Sequence, residues 1–314
     1  MMYKIIQPPK IIFGLNSAKN YVYPKKSLVI TSKGSKKRDW LSYLNIQNHE
    51  VFDLVEPNPS INTVNIILSK FDFSSFSSII GLGGGSSLDV AKYVGYKTQK
   101  EKIMIPTTFG SGSEVTRISV LKIDEKKTSF HDDKMVSDVA IIDPFFIKNT
   151  PSSIIKNSVI DACAQCTEAY DSKNSNKYTK FLCENAFNIL EKGILNNTYE
   201  NFPLGSLISG LGFGNSSTTL GHALSYVYSN EGYSHGHALA YTTSVAHKFN
   251  KSKFYERFKK IVQKLSFPPI KLKNSIENVS ELIFKDKKHL DNNPYQISKI
   301  DIEKILKEIN TMKL

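Results

Sequence analysis

The apolar run Ser78-Ile-Ile-Gly-Leu82 breaks directly into Gly83-Gly84-Gly85-Ser86-Ser87-Leu88-Asp89-Val90-Ala91-Lys92. A buried strand, a glycine turn and a helix start in immediate succession leave few folds open. Consecutive glycines let the backbone approach a ligand closely. The Ser-Ser-Leu-Asp segment opens a helix whose free N–H groups and dipole favour a phosphate. The spacing is not the G-x-G-x-x-G pattern. Similar apolar runs recur at Ser27–Thr31, Val51–Val55, Lys102–Pro106, Arg117–Ile123 and Asp138–Asp143, and helical spacing covers residues 60–70. The stretch holding Lys127 and His131 reads as a polar connection between the last two runs. Strands alternating with helices predict a parallel sheet with crossover helices.

A second loop is dense in hydroxyls and glycine: Ile105-Pro106-Thr107-Thr108-Phe109-Gly110-Ser111-Gly112-Ser113-Glu114. It follows a strand end, where an open α/β sheet binds ligands. From residue 151 onward the periodicity is helical, over Ile154–Tyr170, Lys177–Leu190, Leu204–Leu211, Ser252–Leu265, Ile276–Phe284 and Ile300–Ile309. Thr150-Pro151 reads as a cap followed by proline at the first helical position. The expected division is an α/β domain over 1–150 and an all-helical domain over 151–314.

Asp161 and Gln165 are four residues apart on the first of these helices, so both side chains project from one face. A carboxylate and an amide carbonyl one turn apart can hold two positions of a divalent cation. His222 and His235, in a Gly- and Ser-rich region, are candidates for the other two. Cys163 and Cys166 form a C-x-x-C on the same helix, but without a second Cys pair the expectation is core packing.

The net charge of +12 comes almost wholly from scattered lysines, with arginine only at 38, 117 and 257. Nucleic-acid binding would cluster arginine and aromatics on one element. An anionic small substrate or cofactor fits the sign equally well. No apolar run reaches the length of a membrane span and no signal core begins the chain, so a cytoplasmic protein is expected.

The motifs GGGSSLDVAK (83–92) and IPTTFGSGSEVT (105–116) resemble those of the iron-containing, metal-dependent alcohol dehydrogenases, which share the dehydroquinate synthase-like fold. The likeness begins at Pro8-Pro9-Lys10-Ile11-Ile12-Phe13-Gly14 and passes through Glu56-Pro57-Asn58-Pro59 and Asp143-Pro144. It implies a Rossmann-like nucleotide domain with NAD(P) held by Gly84, Gly85, Ser86, Asp89, Thr107, Thr108 and Ser113. Members that use NAD commonly place an Asp after the first strand. Here Thr31-Ser32-Lys33-Gly34-Ser35-Lys36-Lys37-Arg38 offers hydroxyls and cations instead, so Ser32 is assigned to the cofactor and NADPH is favoured over NADH. Lys127, with Arg117, is a candidate cation for the cofactor or an anionic substrate.

In the second half, Asp161-Ala-Cys-Ala-Gln165-Cys-Thr-Glu168-Ala-Tyr170, Gly221-His222-Ala-Leu-Ser-Tyr226 and Ser234-His235-Gly-His237 are similar to the family's metal elements. The implied ligands are Asp161, Gln165, His222 and His235, with Gln165 where a His is usual and Fe²⁺ or Zn²⁺ as the ion. Tyr226 stands where many relatives have a further His, and it and His237 are the candidate proton donors. The combination is most similar to the phosphonoacetaldehyde reductases. The resemblance therefore implies interconversion of an aldehyde, with an anionic phosphonate as one candidate, and a primary alcohol. A homodimer is compatible with it. The alternatives are a sugar or polyol oxidoreductase, or a carbocycle-forming lyase, on the same fold, and a nucleotide-binding relative without catalysis.

Overall fold

The computed structural model describes residues 2–124, 126–148 and 150–312. The chain divides into two compact units, Lys4–Pro151 and Ser152–Leu314, the latter together with Met1–Tyr3.

The first unit contains strands β1 (Lys10–Phe13), β2 (Ser27–Ile30), β3 (His49–Phe52), β4 (Ser78–Gly83), β5 (Glu101–Pro106), β6 (Ile118–Ile123), β7 (Lys126–His131) and β8 (Val139–Ile142). Its helices are α1 (Ser17–Asn20), α2 (Lys33–Lys37), α3 (Trp40–Tyr43), α4 (Ile61–Lys70) and α5 (Gly85–Thr98). Six strands form one parallel sheet in the order β1-β8-β5-β4-β2-β3. The inner strands β2, β4 and β8 are buried at every residue, and β5 at all but its first. That explains their nearly unbroken apolar runs, because helices cover both faces of such a sheet. The edge strands β1 and β3 are only partly buried, so their runs are mixed in polarity. Strand β3 ends at Phe52, three residues before the end of the apolar run at Val55, because Leu54 is exposed and Val55 turns back to donate to the Thr31 carbonyl at 3.2 Å.

The polar connection expected around Lys127 and His131 is instead strand β7, antiparallel to β6 in a separate two-stranded sheet. Its Lys-Lys-Thr-Ser-Phe-His sequence is half-buried, so no apolar alternation marks it.

The second unit is helical among its described residues: α6 (Ser152–Asp171), α7 (Lys177–Asn196), α8 (Phe202–Phe213), α9 (Leu220–Asn230), α10 (His235–Phe249), α11 (Tyr255–Leu265), α12 (Ile276–Phe284), α13 (Lys287–Asn292) and α14 (Lys299–Thr311). Helix α6 begins after Pro151, and the Thr150 hydroxyl donates to the Phe146 carbonyl at 2.8 Å. The Gly- and Ser-rich region holds two helices, α9 and α10. Its glycines mark close helix contacts: a Cβ on Gly236 would lie 2.1 Å from the Asn157 carbonyl oxygen, and one on Gly221 would lie 2.0 Å from Glu168 Oε1. Cys163 and Cys166 are fully buried in α6 with free thiols, and burial pushes the Cys166 thiol up to about 12.

The sheet core leaves no room at Gly81. A Cβ there would lie 2.7 Å from Met104 Sδ and 2.9 Å from Ala91 Cβ. Gly81→Val is expected to destabilise the first unit by about 1–3 kcal/mol through overpacking, read as a lower urea midpoint by circular dichroism.

Candidate metal and nucleotide sites

In the second unit, α6 carries Asp161, Gln165 and Glu168 at positions i, i+4 and i+7, one stripe of the helix. Glu168 is 1% exposed. Its Oε2 accepts from the Thr219 amide at 2.7 Å and from His222 Nδ1 at 3.2 Å, and its Oε1 accepts from the Thr243 hydroxyl at 3.1 Å. Thr219 precedes the first residue of α9, so the carboxylate also meets the positive end of that helix. Burial alone would raise the Glu168 pKa. The His222 charge and these hydrogen bonds outweigh it and hold the group down at about 2.

An ionised Glu168 can only accept, so His222 Nδ1 carries the proton and Nε2 is turned to the other side of the ring. There His222 Nε2 lies 3.7 Å, and His235 Nε2 3.9 Å, from Asp161 Oδ1. The ligand atoms of Asp161, His222 and His235 all fall within 4.8 Å of one another. A tetrahedral cation with bonds of about 2.1 Å has ligand separations of about 3.4 Å, so slight contraction would close the three on one ion. The donor set and the carboxylate behind His222 fit a divalent metal. Gln165 is brought to the same place: its Nε2 donates to Asp161 Oδ1 at 3.0 Å.

His235 opens α10, and α6 reaches across to fix it. Asn157 Oδ1 accepts from the Ser234 hydroxyl and, at 3.0 Å, from the His237 amide. The His235 side chain is 32% exposed, which leaves the centre open on that side. Tyr226 packs against His235, ring centroids 6.2 Å apart. Burial raises its phenol, and the charges of Asp286, Asp161 and Glu168 raise it further. His237 is engaged elsewhere: its Nε2 makes a 2.6 Å hydrogen bond to the Pro268 carbonyl and its ring stacks on Phe267. Sequence reasoning named neither Glu168 nor Asn157 as site residues, although the 161/165/168 stripe was a signal for the first. It also passed over His289, whose ring lies 6.5 Å from that of His222 and 5.7 Å from that of Tyr226, centroid to centroid.

In the first unit, β5, β4 and β2 are adjacent and parallel, so their C-terminal turns lie side by side. Gly83 has φ +150°, and a Cβ there would strike the Ser87 side chain at 2.7 Å. A Cβ on Gly84 would lie 2.9 Å from Thr108 Oγ1, and one on Gly85 would lie 2.9 Å from Ser111. Helix α5 has Gly84 as its cap residue and no side-chain cap, so Ser86 and its neighbours present N–H groups of the kind that bind phosphate. The Thr107 amide donates to the Gly83 carbonyl at 2.9 Å. Ser32 caps α2, and the Ser35 hydroxyl of that helix sits 3.5 Å from the Gly83 Cβ position. These residues come together at one sheet edge.

Asp89 and Ser113 are turned to each other, Ser113 Oγ donating to Asp89 Oδ1 at 2.6 Å, while the Val120 amide donates to Oδ2 at 3.1 Å. They shape the loop. Lys127 stands on β7 opposite Lys122, in the hairpin rather than at an end of the six-stranded sheet. Arg117 is paired with Asp133 at 2.6 Å.

Profiles of known families match both units: iron-containing alcohol dehydrogenase over residues 8–144, and the Fe-containing alcohol dehydrogenase C-terminal domain over residues 155–288. The chain belongs to the iron-containing alcohol dehydrogenase family. A 4-hydroxybutyrate dehydrogenase of Clostridium kluyveri is 33% identical over 54% of this chain and 53% of its own length. The chain thus spans about half of that relative. Among solved structures, an iron-containing alcohol dehydrogenase superposes with TM-score 0.89 at 24% identity over all of both chains. A sulfoacetaldehyde reductase of Bifidobacterium kashiwanohense with NAD+ superposes with TM-score 0.88 at 21% identity, again over all of both chains. Among the described residues no helix is long and apolar enough to cross a membrane.

Replacing Glu168 with Gln removes the charge behind His222 and is expected to weaken metal binding by roughly 10–100-fold. Asp161→Ala and His222→Ala are expected to abolish stoichiometric metal. Competition with a chelating dye, followed by metal analysis of dialysed protein, checks all three.

Proposed function

We propose that the protein is a metal-dependent oxidoreductase that interconverts a small aldehyde and a primary alcohol with a nicotinamide cofactor. The observation that carries this reading is the convergence of Asp161, His222 and His235, from three helices, on ligand atoms within 4.8 Å. The metal ligands would be these three, with Gln165 at the same centre. When bound, the cation supplies Lewis-acid polarisation of the carbonyl and the nicotinamide supplies the hydride.

The chain's own residues orient and exclude. Glu168 holds the His222 ring in one tautomer. Gln165 holds Asp161. Tyr226 forms an aromatic wall against His235, and its raised phenol keeps its proton at neutral pH. His237, with its Nε2 on the Pro268 carbonyl, is less suited than Tyr226 to pass a proton.

The turns at Ser32, Gly84–Ser86 and Thr107–Thr108 would hold the cofactor. NADPH is the favoured form, because Lys33, Lys37 and Arg38 surround the α2 turn. Asp53 forms a 2.6 Å ion pair with Lys36, and its charge also acts on Lys33. An anionic aldehyde such as phosphonoacetaldehyde is the narrower reading, supported by the net charge of +12 and by the likeness to a sulfoacetaldehyde reductase. Three free cysteines suit a reducing, cytoplasmic setting.

Incubation with Fe²⁺ or Zn²⁺ and a panel of neutral and phosphonate- or sulfonate-bearing aldehydes tests the reading through loss of reduced nicotinamide absorbance. The expected result is metal-dependent turnover, faster with NADPH than NADH, that a chelator and His235→Ala both abolish. No turnover with any aldehyde, in protein shown to hold metal, would contradict it.

A further inference from the structure

A cavity of about 410 Å³ is set into the second unit, on the side of α6 away from the metal ligands. Lys156 and Val159 of α6 line it. Val159 and Asp161 are two residues apart in sequence, so they lie about 200° apart around the helix. The other walls are the end of α7, the Tyr199–Asn201 turn, the start of α8 and the end of α11.

The lining is divided by polarity. Val159, Ile194 and Phe202 are buried and make an apolar floor. Lys156, Lys264 and the half-exposed Tyr199 bring polar groups to the rim. Among the described residues no carboxylate lines the cavity. Lys156 is held in place: its Nζ donates to the Ser266 carbonyl at 2.7 Å and lies 4.2 Å from the centroid of the Phe267 ring. An ammonium has three protons to donate, and the carbonyl takes one of them. Burial lowers the Lys156 pKa, and an anion lying against the amine would offset that cost.

We propose that this cavity is a second small-molecule site that binds a straight-chain aliphatic carboxylate, with the chain on the Val159, Ile194 and Phe202 floor and the head group against Lys156 and Lys264. The volume is that of a small-molecule pocket, and an apolar floor with a few convergent polar groups is the usual composition of one. A floor without hydrogen-bonding groups selects a hydrocarbon body. Two cations without a carboxylate beside them select a negative head. A neutral alcohol meets only the first requirement, and inorganic phosphate only the second. The proposal does not rest on the oxidoreductase reading, because no lining residue belongs to the metal or nucleotide motifs.

The test is calorimetric titration of octanoate into the metal-loaded full chain. Saturable one-to-one binding is expected, weakening about fourfold for each methylene removed on going to hexanoate and butyrate. 1-Octanol and inorganic phosphate are each expected to bind at least tenfold more weakly than octanoate. Lys264→Glu, an exposed change, is expected to weaken octanoate by roughly tenfold or more. Ser153→Trp, placed on the exposed lip of the cavity, is expected to abolish binding by closing it. Thermal midpoints without ligand are measured alongside and are expected to match wild type, and Lys264→Glu is expected to leave aldehyde turnover unchanged. Asp161→Ala, which removes the metal, is expected to bind octanoate as wild type does. No octanoate binding by wild type overturns the proposal. So does octanol binding as tightly as octanoate, or full affinity in both Lys264→Glu and Ser153→Trp. Binding that is lost in Asp161→Ala but kept in Lys264→Glu places the carboxylate at the metal and overturns it equally.

Discussion

The second unit is organised around one buried carboxylate. Glu168 sits fully inside a helical bundle, where an unpaired charge would be prohibitive. It is tolerated because the start of α9, the His222 ring and Thr243 all donate to it. The same bonds have a functional consequence. They fix which nitrogen of His222 is protonated, and so which one faces Asp161. The absent side chain at Gly221 is part of the device, since any Cβ there would collide with the carboxylate. Stability and site geometry are therefore the same interaction seen from two sides.

A second constraint works in the first unit. Parallel strands of equal hand deliver their C-terminal turns to one edge, and three glycines after β4 let the neighbouring turns close on it. The uncapped start of α5 then leaves backbone N–H groups at that edge of the kind that bind anions. The buried pair Asp89 and Lys92 holds the next loop from behind. Lys92 Nζ donates to the Thr116 carbonyl at 3.2 Å, while Asp89 takes the Ser113 hydroxyl and the Val120 amide. These contacts shape the loop that follows β5.

The buried inner strands were legible because burial on both faces writes an unbroken apolar run. The edge strand His49–Phe52 and the hairpin strand Lys126–His131 were misjudged, since half-wetted strands carry no such mark. Helices α9 and α10 were hidden for a different reason. Their glycines and serines blur the apolar spacing, and Gly221 and Gly236 are small because α6 presses against them. Asp161, His222 and His235 were visible as motif residues, and the fold brings them together. Glu168 had the right helical spacing but no chemistry of its own to announce it. His289 could not be found from spacing at all, because only the return of α13 to α9 brings it beside Tyr226.

The decisive feature of the helical unit is what surrounds a cation bound there. X-ray absorption at the metal edge of stoichiometrically loaded protein measures this directly. Oxygen and nitrogen scatterers at about 2.0–2.2 Å, with the outer-shell pattern of two imidazoles, are the expected result. A shell without imidazole, or a spectrum indistinguishable from that of the hydrated ion, would contradict the convergence of Asp161, His222 and His235 on one metal.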